Sequence, residues 1–473
     1  MAPAFSGMMS PWLWRFPSSA SSGEVQVRWA GLWLGGLGLV AVGSAYMWRC
    51  RAQWLQIFQG CRSSKPQCIE AIKKQYGLSD HGFMPTAEEV RVTLPAYCRH
   101  WEETAARLPE LVASKKIHAE VEAWTCVPSS VLHEWEAFSP ELRRAYTVLA
   151  VVAQGYVWAD PENPKQILPR ALAVPLVSTS SQLGLPPIMA HAASELWNWQ
   201  PALKSADLSR IEGYRTQTSL TGTSDEDWFF NASRVCQWLA GPLVIRSYGI
   251  LTSAAPNDDV KAVGKFLVDL AACLTGMKVQ LARLGENCSP DVFWKQLRPL
   301  LRGSAGNEDK LPNGLCFEGV NMHGTGEVLV GTTAAQSSAI PVFDAVLGVQ
   351  HRESDREFLL KMREYMPNAH RQYIELLEGK ESLRQVLERW RDMGKAGAAQ
   401  VIQEYDVAME KLLGFRKGHW KVVGTHVLAQ AAKEQKAAGG EAVEAKGTGG
   451  SSLEGFLLGI VRTIGASKLG GTQ

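Results

Sequence analysis

Two long apolar stripes at three- and four-residue spacing constrain this chain more than any other feature. The first runs Val263, Phe266, Leu267, Leu270, Leu274, Met277, Leu281, Leu284 and stops at Gly285. The second runs Tyr405, Met409, Leu412, Arg416, His419, Val423, His426, on a helix expected from about 398 to 432. A period near 3.6 dictates amphipathic helices whose apolar edges other helices must cover. Asn257 or Asp258 can cap the first. Thr223 and Glu226 fit a capping box ahead of DWFFNASRVCQWLAG. Ser289-Pro290 opens another helix. Ser354 opens one through Phe358, Leu359, Met362 and Tyr365 that stops before Pro367. This half carries no strong strand alternation and the chain no fixed-period repeat, so the body reads as all-α.

The length, 473 residues, allows roughly two to four domains. Residues 1–51 read as a leader. Within it, 29–48 is an uncharged run, WAGLWLGGLGLVAVGSAYMW. Its length just suffices to cross a bilayer core of about 30 Å, but it contains five glycines. Arg49, Arg51, Arg62 and Lys65 follow, so a membrane helix here would leave the body in the cytoplasm. Three readings stand open: an N-terminal membrane anchor, an organelle-targeting leader, and an apolar leader of no function. Residues 52–215 form a first, smaller part, with helical stretches at 87–113 and 140–156. A Pro-rich connector at 159–188 follows, and its prolines predict an extended path. Residues 216–473 form the large helical part. Within them 431–452 (AAKEQKAAGGEAVEAKGTGGSS) reads as a mobile surface loop, and a short apolar helix at 453–464 closes the chain.

Lys and Arg total 49 against 47 Asp and Glu. That near-balance argues against a nucleic-acid binder. Nine cysteines, an odd number and with no C-x-x-C pair, read as scattered thiols of a reducing compartment.

Chemistry concentrates on the second stripe. An Arg and two His on an apolar face need partners if buried. Either both imidazoles are satisfied core groups, or one is a metal or haem ligand facing a cavity. Seven residues apart, they stand about 10 Å from each other along the axis, so they do not share one metal. No H-E-x-x-H and no zinc-type cluster occurs. GTGG at 447–450 lacks the spacing and the Gly-Lys end of a P-loop and reads as a flexible hinge. No G-x-S-x-G elbow is present.

Seven blocks in order resemble the indoleamine 2,3-dioxygenases. They are LGLPPI (183–188), SLTGTSDEDWFF (219–230), SPDVFWKQLRPLL (289–301), AAQSSAIPVFDAVLG (334–348), YMPNAHR (365–371), FRKGH (415–419) and EAKGTGGSSLEGFL (444–457). Together they cover roughly residues 55 to 465. The resemblance implies an all-α fold with a small N-terminal domain and a large helical domain holding one haem b. It implies insertion of O₂ across the indole 2,3-bond of L-tryptophan to give N-formylkynurenine, the entry to the kynurenine pathway. It also implies a cellular reductant and a monomer.

Carried onto this chain, the resemblance makes His419 the proximal haem ligand. Asp344 matches the carboxylate near that histidine, and Arg416 an arginine that pairs with it. On the distal side Phe229 and Ser233 match the pocket aromatic and the small polar residue, and Phe293 a second aromatic over the indole. Arg298 matches the clamp on the substrate carboxylate, which a planar guanidinium suits; otherwise it is an exposed residue stacked on Trp294. Thr333 and Ala334 match a Ser-Ala pair lining the distal site. Thr448 and Gly449 match a loop that closes on the substrate. His426 has no counterpart role. His191 and Ser194 stand where mammalian relatives carry Tyr and Cys beside the indole, which leaves fine substrate preference open. The other class of function on this fold is O₂ binding without turnover, as in the molluscan myoglobins that resemble the family.

Overall fold

Nearly every apolar residue of the two stripes is placed against another helix, and this fixes the architecture. The computed structural model describes residues 66–320, 326–437, 453–465 and 467–469; residues 57–473 belong to one compact unit. The protein is 64% helical. The first helices are α1 (Pro66–Tyr76), α2 (Arg99–Ala106), α3 (Leu108–Ala113) and α4 (Ile117–Glu122). Then come α5 (Pro140–Trp158) and α6 (Arg170–Leu183). The long α7 (Ser224–Gly249) and α8 (Val260–Ala282) follow. The remainder are α9 (Ala339–Leu347), α10 (Glu353–Arg363), α11 (Asn368–Glu378) and α12 (Leu383–Asp392), then α13 (Ala398–Val423), α14 (Ala429–Ala437) and α15 (Leu453–Gly465).

Strands are minor. β1 (Ile167–Leu168) runs parallel to β4 (Cys316–Phe317), pairing Ile167 with Cys316. β2 (Trp199–Pro201) pairs antiparallel with β3 (Tyr214–Thr216), Trp199 opposite Thr216.

The core is helix on helix. Every residue of the first stripe is buried on α8 or in the turn after it, and α8 packs along α13 and against α7. On α13, Tyr405, Met409 and Leu412 are buried as the second stripe requires. Arg234 of α7, fully buried, pins that helix to the chain beside β2. Its Nη1 donates to Thr216 Oγ1 (2.9 Å) and Asn231 Oδ1 (2.8 Å), and its Nη2 to the carbonyls of Ser194 and Asn198 (both 2.8 Å). Gly241 on α7 lies flat against the His81 backbone, where a Cβ would sit 2.2 Å from the His81 carbonyl carbon.

Four local expectations are corrected. The stretch 87–113 is not one helix, because Pro95 and Pro109 each start a new short one. The connector at 159–188 is not extended. Residues 170–183 of it form α6, which accommodates Pro175 inside and ends at Gly184 in the left-handed region (φ 65°). The cap of α8 is Asp259, whose carboxylate accepts from Ala262 N at 3.0 Å, not Asn257 or Asp258. Asp258 is instead drawn away by Trp390 Nε1 (2.6 Å), Lys395 (3.0 Å) and Arg389 (3.2 Å). The α7 capping box is half formed. Thr223 accepts from Glu226 N at 3.2 Å, but the Glu226 carboxylate takes Leu220 N (2.8 Å) and Thr221 N (2.6 Å). The run 29–48 lies outside the described residues. Among the described residues no helix is long and apolar enough to cross a membrane. Among the described residues six cysteines are free thiols: Cys98, Cys126, Cys236, Cys273, Cys288 and Cys316.

Candidate functional site

The last turns of α13 carry Arg416 and His419, three residues apart and so on one face. The two histidines of the stripe differ sharply. His426 is buried with Nδ1 3.2 Å from the Val422 carbonyl and Nε2 3.2 Å from the Cys288 carbonyl. Its ring is engaged by backbone and it is structural. His419 is half-buried, and no group among the described residues hydrogen-bonds its ring. Burial, then the charge of Arg416, push its pKa down to about 4. At neutral pH it is an uncharged imidazole with a free lone pair, the form that binds a metal. A single unpartnered histidine fits an axial haem ligand. It does not fit a multi-ligand metal site, and no cluster of three metal-binding side chains occurs among the described residues.

Asp344, buried on α9, holds Arg416. Arg416 Nη2 donates to both carboxylate oxygens at 2.7 and 2.6 Å. His351 Nε2 lies 3.0 Å from Oδ2. Burial pushes the Asp344 carboxyl up, but the Arg416 charge and the bonds from His351 and Arg416 outweigh it and hold it below its ordinary range. The local fold explains the meeting. Gly348 ends α9 in the left-handed region (φ 74°), Val349 N closes onto the Asp344 carbonyl at 2.9 Å, and the chain turns back to bring His351 to the carboxylate. Asp344 therefore pairs with Arg416, as expected, and among the described residues makes no hydrogen bond to His419. Sequence reasoning missed His351, which lies in a turn without periodicity.

A second cluster forms where α7 meets residues 290–301. Phe229 and Phe293 face each other at 4.7 Å between ring centroids, tilted by 35°. Phe293 also stands edge-on to His426 at 5.9 Å. Ser233, one turn on from Phe229, is half-buried and does not bond back to its own helix. Phe293–Leu297 forms a π-helical turn, a deviation common at functional sites. It delivers Arg298, whose guanidinium carbon lies 4.5 Å over Trp294, while Trp294 Nε1 donates to Glu434 of α14 at 3.0 Å. Burial, then Arg302, lower the Arg298 pKa to about 10, so it stays charged at neutral pH. The expected Arg298–Trp294 stacking is present, on a guanidinium that is half-buried rather than exposed. Thr333 accepts weakly from Ala335 N (3.4 Å), and Ala334 is exposed. Thr448 and Gly449 lie outside the described residues.

His191 and Ser194 are fully buried. His191 Nδ1 meets the Glu195 carboxylate, its Nε2 lies 3.2 Å from Gln237 Nε2, and its backbone N donates to Gln336 at 3.0 Å. Ser194 Oγ joins Thr332 at 2.9 Å and Glu195 at 2.8 Å. Gln237 lies one turn beyond Ser233 on α7. Glu195 carried no sequence signal, since nothing in LPPIMAHAASELWNW has a clear period, and Gln237 lies on α7, where helical spacing alone does not single it out.

Among the described residues the helical body thus carries an imidazole one turn from a charge-compensated arginine, and a separate aromatic pair with a cation. Comparison with known proteins gives the family. The indoleamine 2,3-dioxygenase family model matches residues 72–463. An indoleamine 2,3-dioxygenase of Penicillium citrinum is 32% identical over 389 residues, 81% of this chain and 85% of that protein. Indoleamine 2,3-dioxygenase 1 of Rattus norvegicus is 32% identical over 382 residues, covering 78% and 89%. A myoglobin of Haliotis madaka is 29% identical over 388 residues, covering 82% and 96%. The chain belongs to the indoleamine 2,3-dioxygenase family, whose members are haem-dependent oxidoreductases.

Proposed function

We propose that the protein opens the indole 2,3-bond of L-tryptophan with O₂, giving N-formylkynurenine. The observation that carries this reading is His419: an uncharged imidazole with no hydrogen-bond partner among the described residues, one turn from the Asp344–Arg416 pair. His419 would hold the haem iron. Bound haem would supply the activation of O₂, the hard part of the chemistry. The protein then has to orient and exclude. Phe229 and Phe293 offer aromatic walls against which an indole can lie. Arg298, charged and stiffened by Trp294, suits a carboxylate. Ser233 and Thr333 add small polar contacts, and the segment with Thr448 and Gly449 would close on the amino-acid end. No side chain need act as a strong base, because the work is positioning and keeping water out.

The same reading implies a small N-terminal half to about residue 215 and a large haem-holding half beyond it. It implies a monomer supplied by a cellular reductant. The leader would be a membrane anchor, an organelle-targeting segment or an apolar leader of no function on a cytoplasmic body. The test is direct. The full chain, loaded with haem and reduced, is mixed with L-tryptophan and O₂ and assayed for N-formylkynurenine. Product supports the dioxygenase. A stable oxygenated haem without product supports the second reading, an O₂-binding protein, which the Haliotis madaka relative favours. Arg298 argues for the enzyme, since an O₂ carrier has no carboxylate to hold.

A further inference from the structure

Asp344 is restrained from two sides, and only one of them is the arginine beside His419. Arg416 engages the carboxylate through Nη2 alone, at 2.7 and 2.6 Å to the two oxygens, while its Nε is buried with no partner among the described residues. A guanidinium ordinarily locks a carboxylate by two parallel bonds from two nitrogens. Contact through one nitrogen leaves the carboxylate free to swing about it. His351 supplies the missing restraint, with Nε2 3.0 Å from Oδ2 and its side chain largely buried.

The segment that delivers His351 is held independently of that bond. Gly348 turns it, and Val349 N closes onto the Asp344 carbonyl. The next residue, Arg352, pairs with buried Asp355 through Nε (2.7 Å) and Nη2 (3.0 Å). Helix α15 lies directly on that ion pair. At Gly459 a Cβ would fall 1.6 Å from Arg352 Nη2, so the helix backbone lies against one side of the half-exposed guanidinium. His351 is therefore carried on a rigid turn, and removing its ring leaves the turn standing.

We propose that His351 is a positioning residue for the proximal side. By fixing Asp344 it keeps the Arg416 charge compensated, and so sets how strongly His419 donates to iron. This rests on the reading of His419 as the haem ligand. The Arg416 charge lies three residues before His419, on the same face of α13. With Asp344 loosened, that charge acts on the imidazole unopposed, and the iron–histidine bond weakens.

The test uses the haem-loaded full chain as wild type, His351→Leu and His351→Gln, with His419→Ala beside them. In His351→Leu the ferrous iron–histidine stretching band should move to lower frequency. Haem should pass to apomyoglobin about tenfold faster, the size of effect expected when a ligand's outer partner is lost. His351→Gln keeps a donor for Asp344 and should restore most of both. A His351→Leu protein with wild-type band and transfer rate overturns the proposal. So does one that only melts earlier in the haem-free form, since that marks a merely structural residue. Haem retained by His419→Ala sinks the ligand reading itself. Haem lost there, with His351→Leu unchanged, sinks this inference alone.

Discussion

Asp344→Asn is the sharpest probe of the site, because it removes a charge and almost no volume. The carboxylate is buried and accepts three contacts of 2.6, 2.7 and 3.0 Å from Arg416 and His351. After substitution the Arg416 guanidinium, with only 13% of its side chain exposed, keeps its charge and loses its counter-ion. Breaking a buried pair by deleting one partner costs about 3–5 kcal/mol. The residual exposure of Arg416 places this case at the lower end, about 3 kcal/mol. Replacing both partners by apolar groups of similar size removes the uncompensated charge, so Asp344→Leu with Arg416→Met should cost clearly less than the two single changes added together. A coupling of about 2 kcal/mol is expected for groups in such direct contact. Urea unfolding of the haem-free protein, followed by tryptophan fluorescence, measures each corner of the cycle. A loss below about 1 kcal/mol for Asp344→Asn, or strict additivity in the double variant, would refute the buried, mutually dependent pair.

Three further outcomes follow from the geometry. His419→Ala should abolish haem retention while leaving the helical circular dichroism intact; a full Soret band in that variant refutes the ligand assignment. Arg298→Ala should keep the haem spectrum and lose turnover of L-tryptophan by at least about tenfold, the scale of one charge-assisted hydrogen bond of 1.5–3 kcal/mol; unchanged kcat/KM would remove the clamp. Stability of the haem-free protein should fall as pH drops below about 6.5. Burial holds His370 near 3 and His419 near 4, so the folded state stays neutral where the unfolded chain takes up protons. The slope is up to about 1.4 kcal/mol per pH unit for each such histidine. His370→Gln, at a fully buried position, should flatten the curve between pH 6 and 4.5. A slope unaltered by that change contradicts the neutral buried imidazole.

What could be read in advance follows a physical line. Residues whose burial is set by their own helix were legible: the stripe from Val263 to Leu284 is buried as its period demands. Residues whose placement is set by another part of the chain were not. Asp258 looks like a cap until Trp390, Arg389 and Lys395 claim its carboxylate and pull the backbone to φ 56°. Pro175 looks like a break until it is found inside α6. His351 is invisible because its only tie to Asp344 is made by a turn that reverses the chain.

The same limit explains why periodicity could not choose between His419 and His426. Both continue the stripe that buries Tyr405, Met409 and Leu412, and a seven-residue spacing puts them on nearly one line of a regular α-helix. The helix is not regular to its end. Gly424–Leu428 forms a π-helical turn, which shifts the phase of everything beyond Val423. That shift sets His426 between the Val422 and Cys288 carbonyls, 3.2 Å from each, and against Phe293, where its ring N–H has a backbone acceptor. His419 lies before the shift and meets no such group, and its one charged neighbour on the stripe, Arg416, is already held by Asp344. Ligand and structural histidine are therefore separated by what each ring has left over. A nitrogen already bonded to backbone would have to give up that bond to bind iron; one with no partner gives up nothing.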